Sequence, residues 1–430
     1  MRTLLLIAYH FPPLTTSGMY RSLQFARYLP RFGWRPVVLT VRPDSTGDGG
    51  VLDDAPLLGL PPETRVLRAA AADPLRAALR IRNRLAGRGR GSNGDFAAAG
   101  GPEECATWRD WVSDFFAVPD RQMGWIGAAA MEALRAENID VVYSSSPPAS
   151  AHVAALVAAR CRDLPFVADF RDPWISNDFS PARSTPFLDP LDRWLEARVV
   201  DGATRIIANT EELRSDFERR YEGDRSKFVT ITNGYDPEED VPEAPVRTGG
   251  PVRILHAGSL YGRRDPTPIL RALSELIEEG AIGEDDVRLT FIGSAAGEER
   301  YKEFLQSHRL SRIVTFEAKV PRDEAIRLLA SSDLLLLIQT GTDLQIPRKL
   351  YEYIAVGRPI LALTSGGATE SIVRREGLGW IVGPGEPERV KELLRRAAGR
   401  SLPPPPRRSE RFDFRRLTER LAALLEEARR

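Results

Sequence analysis

Short, uniformly apolar segments alternate with helix-forming segments along this chain, and the alternation occurs once in each half of the sequence. In the first half, the predicted strands are Thr3–Ala8, Pro36–Val41, Asp140–Ser145, Pro165–Asp169 and Arg205–Ala208. In the second half, they are Val252–Ala257, Val287–Ile292, Asp333–Ile338, Pro359–Leu363 and Gly379–Val382. Short apolar strands separated by helices are typical of a parallel sheet that helices cover on both faces. We therefore predict an α/β protein with two doubly wound, Rossmann-like domains.

The segment between the two halves indicates a domain boundary. Tyr235–Pro251 is rich in Pro, Gly and acidic residues and has no hydrophobic periodicity, as is typical of a linker. We predict an N-terminal domain over residues 1–235 and a C-terminal domain over 251–402, with a ligand cleft between them. Pro403–Pro406 interrupts the chain again, and a charged helix is predicted over 410–430.

Composition and missing motifs narrow the class of protein. Sixty basic and sixty acidic side chains balance, so we expect no bulk attraction to nucleic acid. No segment approaches the ~20 apolar residues that span a bilayer, and the apolar start of the chain ends at Pro12 without a cleavage site, which indicates a cytoplasmic protein. Cys105 and Cys161 are too far apart to predict a metal or redox pair. The loop after the first strand is not a GxGxxG fingerprint, and the second strand does not end in an acidic residue, which disfavours dinucleotide dehydrogenases. The sequence has no GxxxxGK(S/T) motif, which excludes P-loop enzymes.

The segment IPRKLYEYIAVGRPILAL predicts a helix with a charged start, followed by a buried strand. Pro347 suits the first helical position. Arg348 and Lys349 follow it, and the helical repeat places Glu352 on the same side as both cations. Cations at a helix N-terminus bind anions, and a carboxylate one turn deeper can accept hydrogen bonds from two ribose hydroxyls. The sequence therefore indicates a nucleotide-sugar site, and the alternative is an ordinary amphipathic helix with an intrahelical ion pair.

The loop HFPPLTTSGMYR connects the first predicted strand to the first predicted helix. Gly18 lies where the chain enters that helix, at the carboxyl edge of the sheet, and Arg21 follows one turn later. A glycine at this position lets the backbone approach a phosphate group closely. We therefore expect Gly18 to contribute to a phosphate site.

Four segments, taken in order, make the whole chain resemble the GT-B-type retaining glycosyltransferases, a group that includes bacterial polysaccharide and glycolipid transferases. They are the loop FPPLTTSGMYR, ITNGYD at Ile231–Asp236, LHAGSLYGRRDP at Leu255–Pro266, and KLYEYIAVGRPIL with the TSGGATESIV after it. Each motif alone has low specificity, but the order and spacing of all four are characteristic. The segment Ser144–Trp174 adds a narrower resemblance, to a subgroup with a DFRDPW motif.

The resemblance implies an enzyme of the EC 2.4 class that moves a hexosyl-type sugar from a UDP- or GDP-linked donor to an acceptor hydroxyl with retention of configuration. Enzymes of this fold generally act without a bound metal, and no cofactor besides the donor substrate is implied. Their terminal helix commonly packs back on the N-terminal domain, as is expected here for residues 410–430. The expected pathway is glycan, glycolipid or cell-surface polysaccharide biosynthesis.

For the donor diphosphate, the resemblance implies a basic residue after the LHAG strand together with Lys349. The candidates are Arg263 and Arg264, and two adjacent arginines in an extended loop cannot both point into one site. Arg263 is slightly preferred. The amides of Gly366 and Gly367, which begin a predicted helix, are expected to cradle further donor oxygens.

For the donor ribose, the resemblance implies Glu352. Family members often carry a second glutamate eight positions earlier, near the sugar, but Leu344 occupies that position here. The candidates to replace it in contacting the donor sugar are Thr342, Asp343 and Gln345.

Four histidines occur, and His152 is the strongest catalytic candidate among them. It follows the predicted strand Asp140–Ser145 and begins a helix, where the family often places a histidine near the hydroxyls of the transferred sugar. The alternative is a helix-capping or surface histidine. His10 is a weaker candidate, and His256 and His308 are expected to be structural or exposed.

Two carboxylates, Asp169 and Asp172, flank Arg171 at the end of a predicted strand, on the sheet edge that binds ligands in this architecture. We expect them to position or deprotonate the acceptor hydroxyl. The alternative is a structural Asp–Arg–Asp cluster.

One region departs from the alternation of strands and helices. Its arginines recur every four residues and are Arg76, Arg80, Arg84 and Arg88. This spacing predicts a basic amphipathic helix that contacts an anionic membrane surface, with a solvated helix as the alternative. A disordered insertion is predicted at about residues 87–105. Further apolar residues are Trp111, Phe115 and Phe116. The region slightly favours a lipid-linked saccharide acceptor, with peripheral contact with the inner face of the cell membrane as one hypothesis, and a soluble acceptor is the alternative.

Two other functions stay open at this point. A sugar-nucleotide epimerase of GT-B fold uses the same donor domain, and a non-catalytic protein can bind a nucleotide sugar without turnover. The nucleotide base, the sugar and the acceptor linkage are left open by the sequence.

Overall fold

The computed structural model describes residues 1–46, 52–72, 117–177, 188–242, 249–260, 262–294 and 296–430. These residues form two compact units. Unit 1 contains Met1–Ala208, Phe217–Val229 and Thr418–Arg430. Unit 2 contains Asn209–Asp216 and Thr230–Leu417. Each unit is built around its own parallel sheet.

The sheet of unit 1 has seven strands. They are β1 (Arg2–Ile7), β2 (Trp34–Val41), β3 (Arg65–Ala69), β4 (Val141–Ser146), β5 (Phe166–Phe170), β6 (Arg205–Ala208) and β7 (Phe228–Thr230). Their spatial order is β3-β2-β1-β4-β5-β6-β7. Since β1 is flanked by β2 and β4, the strand order reverses between β1 and β4, and such a point is where open α/β sheets bind ligands.

The helices of the first half cover this sheet. They are α1 (Met19–Tyr28), α2 (Ile126–Arg135), α3 (Ser150–Arg162), α4 (Asp189–Gly202) and α5 (Glu211–Arg220). The central strand β1 is apolar throughout its interior, and its residues Leu4–Ile7 have no exposed surface. Complete burial follows from helices packing on both faces of a parallel sheet.

The sheet of unit 2 has six strands. They are β8 (Val252–Ala257), β9 (Val287–Ile292), β10 (Val314–Glu317), β11 (Leu334–Gln339), β12 (Ile360–Thr364) and β13 (Gly379–Val382). Their order is β10-β9-β8-β11-β12-β13, so the order reverses between β8 and β11. The helices of unit 2 are α6 (Thr267–Glu278), α7 (Ala296–Ser307), α8 (Arg322–Ala330), α9 (Arg348–Val356), α10 (Gly367–Arg375) and α11 (Pro387–Ala398). The terminal helix α12 (Phe414–Arg429) belongs to unit 1 from Thr418 onward.

The predicted fold class, two doubly wound parallel sheets in separate halves, is confirmed. All ten predicted strands are present, several with their limits shifted by one residue. The strands that the sequence did not predict are β3, β7 and β10, and each is an edge strand. Because an edge strand is covered on fewer sides, it lacks a continuous apolar run. In β10, buried and exposed residues alternate.

Several boundaries differ from the sequence-based expectation. Pro347 has an extended backbone and precedes the first turn of α9, which begins at Arg348. Tyr235, predicted to start the linker, is buried, and its backbone N–H donates to the Phe412 carbonyl at 2.8 Å. The terminal helix α12 begins at Phe414 rather than at residue 410.

Some predictions fall on parts of the chain that the structure does not describe. They concern the basic helix with Arg76, Arg80, Arg84 and Arg88, the insertion at 87–105, and the apolar residues Trp111, Phe115 and Phe116. They stay predictions. Among the described residues, no helix is both long and apolar enough to cross a bilayer.

Candidate functional site

Lys349 lies in the first turn of α9 and is bound by an imidazole from β8. His256 is completely buried; its Nδ1 is 3.0 Å from the Leu336 carbonyl oxygen, and its Nε2 is 2.9 Å from Lys349 Nζ. Because a carbonyl oxygen only accepts, Nδ1 must carry the ring proton and Nε2 must accept from the lysine. His256, which was expected to be structural or exposed, is buried. It also contacts Lys349, a predicted site residue.

The titration of this pair is set by burial. Burial lowers the pKa of Lys349 well below its ordinary value, and the Arg264 charge lowers it further, while Glu352 opposes the shift. Burial and the charge of Lys349 lower the pKa of His256 well below its ordinary value. The imidazole is therefore neutral near pH 7, and it orients the lysine without cancelling its charge.

The backbone of Gly258 packs directly against the lysine. Gly258 has φ +112°, and a Cβ atom at this position would lie 3.2 Å from Lys349 Nζ and 3.3 Å from its Cε. A side chain here would be strained by the positive φ and would also displace the ammonium group. The glycine of the LHAG segment therefore gives the lysine its space.

The two candidate arginines point in different directions. Arg264 is buried, and its Nε donates to Gln339 Oε1 at 3.1 Å. Arg263 is exposed, and its Nη1 donates to the Gly341 carbonyl at 3.2 Å. The charge of Arg264 acts on Lys349, whereas Arg263, the slightly preferred candidate, lies at the surface. Which of the two arginines binds a diphosphate stays a prediction.

The glycine-rich start of α10 lies against the segment that precedes α9. Gly366 caps the helix with φ +110°, and Gly367, with φ +69°, has no room for a Cβ, which would lie 2.4 Å from Asp343 Cα. The Ala368 N–H donates to the Asp343 carbonyl at 2.7 Å. The predicted sugar-contacting residues are thus next to the helix start, with Asp343 exposed and Gln345 buried.

Glu352 belongs to a network of four charged side chains. Arg322 Nη1 donates to Glu352 Oε1 at 2.6 Å, and Arg348 Nη2 lies 2.7 Å from the same oxygen. Arg322 also binds both carboxylate oxygens of Glu239, at 2.6 and 2.8 Å. Burial alone would raise the pKa of Glu352, but Arg348 and Arg322 outweigh it and hold that pKa below its ordinary value. The intrahelical ion pair considered as the alternative does form, as part of a larger network.

In unit 1, the carbonyl of Gly18 faces a guanidinium group. Arg171 Nη1 donates to the Gly18 carbonyl at 2.6 Å, Nη2 to the Pro147 carbonyl at 2.6 Å, and Nε to the Ser146 carbonyl at 3.0 Å. A Cβ at Gly18 would lie 2.8 Å from Arg171 Nη1. Close packing against Arg171 is therefore one reason for a glycine here.

The two predicted acceptor-side carboxylates differ in exposure. Asp169 has no exposed surface, and its carboxylate accepts from Arg21 Nε at 2.7 Å, from Arg21 Nη2 at 2.9 Å and from the Tyr143 hydroxyl. Its structural partner is thus Arg21 rather than Arg171. Asp172 is half-buried beside Arg171. Of the two, only Asp172 has surface that a substrate can contact in this conformation.

Two imidazoles with unpartnered nitrogens lie close to the Arg171 charge. His152 is completely buried, its Nδ1 is 2.6 Å from Ser144 Oγ, and its Nε2 has no partner among the described residues. Burial, with a contribution from Arg171, lowers the pKa of His152 to about 3 and that of His10 to about 4. His10 Nδ1 is likewise buried without a described partner. Both rings are neutral near pH 7, and the alternative of a surface histidine at position 152 is wrong.

Two family models match the chain and together cover most of it. Residues 96–239 match glycosyltransferase family 4, and residues 251–399 match glycosyl transferases group 1. The chain belongs to the family 4 glycosyltransferases.

Curated relatives include two D-inositol 3-phosphate glycosyltransferases. That of Corynebacterium urealyticum is 25% identical over 217 residues, which are 47% of this chain and 50% of the relative. That of Nocardioides sp. is 27% identical over 302 residues, 64% of each chain. The chain thus spans between about half and just under two thirds of the length of these relatives.

Solved structures share the GT-B fold at low sequence identity. Sucrose-phosphate synthase from Thermosynechococcus elongatus has a TM-score of 0.65 at 14% identity, over 99% of both chains. Anabaena HepE in complex with UDP and glucose has a TM-score of 0.59 at 15% identity, over 99% of this chain and 100% of that chain. UDP-GlcNAc 2-epimerase from Methanocaldococcus jannaschii has a TM-score of 0.55 at 13% identity, over 99% and 100%.

Proposed function

We propose that this protein is a retaining glycosyltransferase that moves a sugar from a nucleoside-diphosphate sugar to an acceptor hydroxyl. The observation that carries the proposal is the arrangement in unit 2 of Lys349, bound by the neutral His256, with the buried Arg264 close enough to act on its charge. Desolvation and Arg264 make the ammonium form of Lys349 costly, and a neutral imidazole does not offset that cost, whereas the negative charge of an anionic ligand would. Family membership makes the diphosphate of a nucleotide sugar that ligand.

In this proposal, Lys349 and Arg264 bind the diphosphate of the donor. As the bond between the anomeric carbon and the phosphate oxygen breaks, negative charge grows on the leaving nucleotide. Hydrogen bonds that strengthen with this charge lower the barrier more than they strengthen ground-state binding. The acceptor oxygen bonds to the anomeric carbon on the same face, and its proton goes to the leaving phosphate oxygen.

The remaining donor contacts follow from the same arrangement. Glu352 accepts hydrogen bonds from the ribose hydroxyls, and its lowered pKa supports an ionised carboxylate for this role. The amides at Gly366 and Gly367 bind donor oxygens, and the adjacent Asp343 and Gln345 contact the sugar. We propose the C-terminal domain, residues 251–402, as the donor-binding part.

The N-terminal domain, residues 1–235, is proposed to bind the acceptor. His152 Nε2, buried and without a described partner, is the group proposed to contact the transferred sugar, and Asp172 the group that contacts the acceptor. Asp169 is assigned to positioning Arg21, because its carboxylate already accepts hydrogen bonds from Arg21 and Tyr143. Gly18 is proposed to lie near the donor diphosphate.

The identity of the substrates is proposed at a coarser level. UDP-linked donors are favoured over GDP-linked donors because the fold neighbour HepE binds UDP and glucose. A phosphorylated or lipid-linked saccharide acceptor at the inner face of the membrane fits the relatives named for inositol phosphate and the predicted basic helix.

The test has a binding arm and a turnover arm. Thermal unfolding is measured against UDP, GDP and their sugars, since a ligand that binds only the folded state raises the melting temperature. The preferred sugar nucleotide is then incubated with candidate acceptors, and the anomeric configuration of the product is read by NMR. A disaccharide linkage of the donor's own configuration supports the proposal. Nucleotide binding without any product overturns it in favour of a binding protein.

An epimerase is the second candidate, because UDP-GlcNAc 2-epimerase shares the fold. An epimerase would be identified by incubating the sugar nucleotide without an acceptor. The sugar nucleotide would be converted to an isomer of the same mass, and the nucleotide would then be released without transfer of the sugar. A non-catalytic binder is favoured only by Leu344, which stands where family members often carry a glutamate.

A further inference from the structure

We propose that Arg322 is a positioning residue that holds one oxygen of the Glu352 carboxylate and thereby aims the other at the donor ribose. This inference rests on the proposed function, in which Glu352 binds the ribose. Arg322 was not predicted as a site residue, because it lies in a different helix from Glu352 and outside every motif quoted above.

The contacts on Glu352 are one-sided. The hydrogen bond from Arg322 and the closest approach of Arg348 both fall on Oε1, at 2.6 and 2.7 Å. Two guanidinium donors saturate the lone pairs of that oxygen. Within the part of the chain that the structure describes, none of the hydrogen bonds of Glu352 falls on Oε2. Both lone pairs of Oε2 can therefore accept from the hydroxyls of a ribose.

Arg322 itself is held by a second carboxylate. Its Nε and Nη2 bind the two oxygens of Glu239 at 2.6 and 2.8 Å, a bidentate geometry that only a planar guanidinium can form. The fork fixes the plane of the guanidinium, and Nη1 is then directed at Glu352. The side chain of Glu352 is 16% exposed, so these contacts are little screened by water.

The charges explain why an arginine is needed at this place. Arg322 lies between the carboxylates of Glu239 and Glu352, and removing its charge leaves two partly buried anions facing each other. Their repulsion would turn the Glu352 carboxylate or favour its protonation. Either change removes an acceptor from the ribose hydroxyls while the rest of the donor site stays in place.

The experiment compares ribose with deoxyribose. Dissociation constants for UDP and 2′-deoxy-UDP, and for GDP and 2′-deoxy-GDP, are measured by calorimetry, and their ratio reports the contact with the 2′-hydroxyl. Wild type is expected to prefer the ribose form about tenfold, the worth of one hydrogen bond to a charged group. Glu352→Gln should abolish the preference, Arg322→Gln should reduce it to about twofold, and Arg322→Lys should fall between.

The control is Arg327→Gln, an exposed arginine on the same helix, which should leave the ratio unchanged. If Arg322→Gln weakens both nucleotides equally and the ratio stays at the wild-type value, the residue is merely structural and the inference is overturned. If Glu352→Gln leaves the ratio unchanged, the ribose role of Glu352 fails, and this is a separate result from the failure of Arg322.

A second variant covers the case in which Arg322→Gln does not fold. Glu239→Gln keeps the pair of Arg322 and Glu352 but removes the bidentate anchor, and the ratio is expected to fall about threefold. An unchanged ratio in Glu239→Gln would overturn the inference.

Discussion

Two cations, the buried Arg21 in unit 1 and the half-buried Lys349 in unit 2, have opposite kinds of partner. Arg21 in unit 1 forms a bidentate ion pair with Asp169, and neither side chain is appreciably exposed. Lys349 in unit 2 is bound by the imidazole of His256, a neutral acceptor. A carboxylate cancels the charge that it binds, whereas an imidazole orients a cation and leaves its charge for a ligand. The partner of the cation, rather than the cation itself, therefore distinguishes a structural site from a binding site.

The largest expected effect concerns the pair in unit 1. Asp169→Asn leaves the Arg21 guanidinium buried without a counter-charge, and breaking a buried ion pair in this way costs about 3–5 kcal/mol of unfolding free energy. Urea denaturation measures the loss. The control is Asp44→Asn in the exposed pair with Arg42, which should cost no more than about 1 kcal/mol. A loss of less than about 1 kcal/mol in Asp169→Asn would contradict the structural role of the Arg21–Asp169 ion pair.

The sequence predicted one half of this comparison better than the other. Lys349 and Glu352 lie within one helix, where local spacing determines which side chains share a face. Asp169 and Asp172 looked equivalent as a pair flanking Arg171, but Asp169 lies inside β5 and Asp172 beyond its end. Which of the two carboxylates is buried therefore depends on where β5 ends within the sheet.

The partners of the site residues were not predictable, for a physical reason. His256 reaches Lys349, and Arg322 and Glu239 reach Glu352, across elements that are far apart in the sequence. No local periodicity encodes such contacts, because they depend on which strands become neighbours. The interior strands and the edge strand β13 were predicted from their apolar runs, whereas the edge strands β3, β7 and β10 were missed because they lack such runs.

The second largest expected effect is a loss of folding stability at low pH, caused by the buried His152 of unit 1. The folded pKa of His152 is about 3, against 6.5 in the unfolded chain, so the unfolded state binds more protons between these values. Stability is therefore lost as the pH falls below 6.5, by about 2 kcal/mol between pH 7 and pH 5 from this residue alone. His152→Gln should lose correspondingly less stability over that range in urea denaturation at the two pH values. Identical pH dependence in variant and wild type would contradict the buried neutral imidazole.

A smaller effect is expected from replacing glycines in unit 2, where backbone strain can be distinguished from contact with Lys349. Gly258 and Gly280 both have positive φ, +112° and +67°, but only at Gly258 would a Cβ meet Lys349. Gly258→Ala and Gly280→Ala should both lose about 1 kcal/mol of stability from backbone strain. Only Gly258→Ala should also weaken nucleotide binding, by about tenfold in the dissociation constant. Equal nucleotide affinities in the two variants would show that nucleotide binding does not depend on the close packing of Lys349 against Gly258.

The most direct test of the account is the affinity for UDP and GDP of Lys349→Met, measured by calorimetry beside wild type and Lys302→Met, an exposed lysine on α7. Because a half-buried cation whose pKa is lowered by desolvation does not stabilise the fold, Lys349→Met should unfold at the wild-type urea concentration or above it. We predict that it nevertheless binds the preferred nucleotide at least tenfold more weakly, while Lys302→Met binds as wild type does. Wild-type affinity in Lys349→Met would contradict the assignment of unit 2 as the donor site.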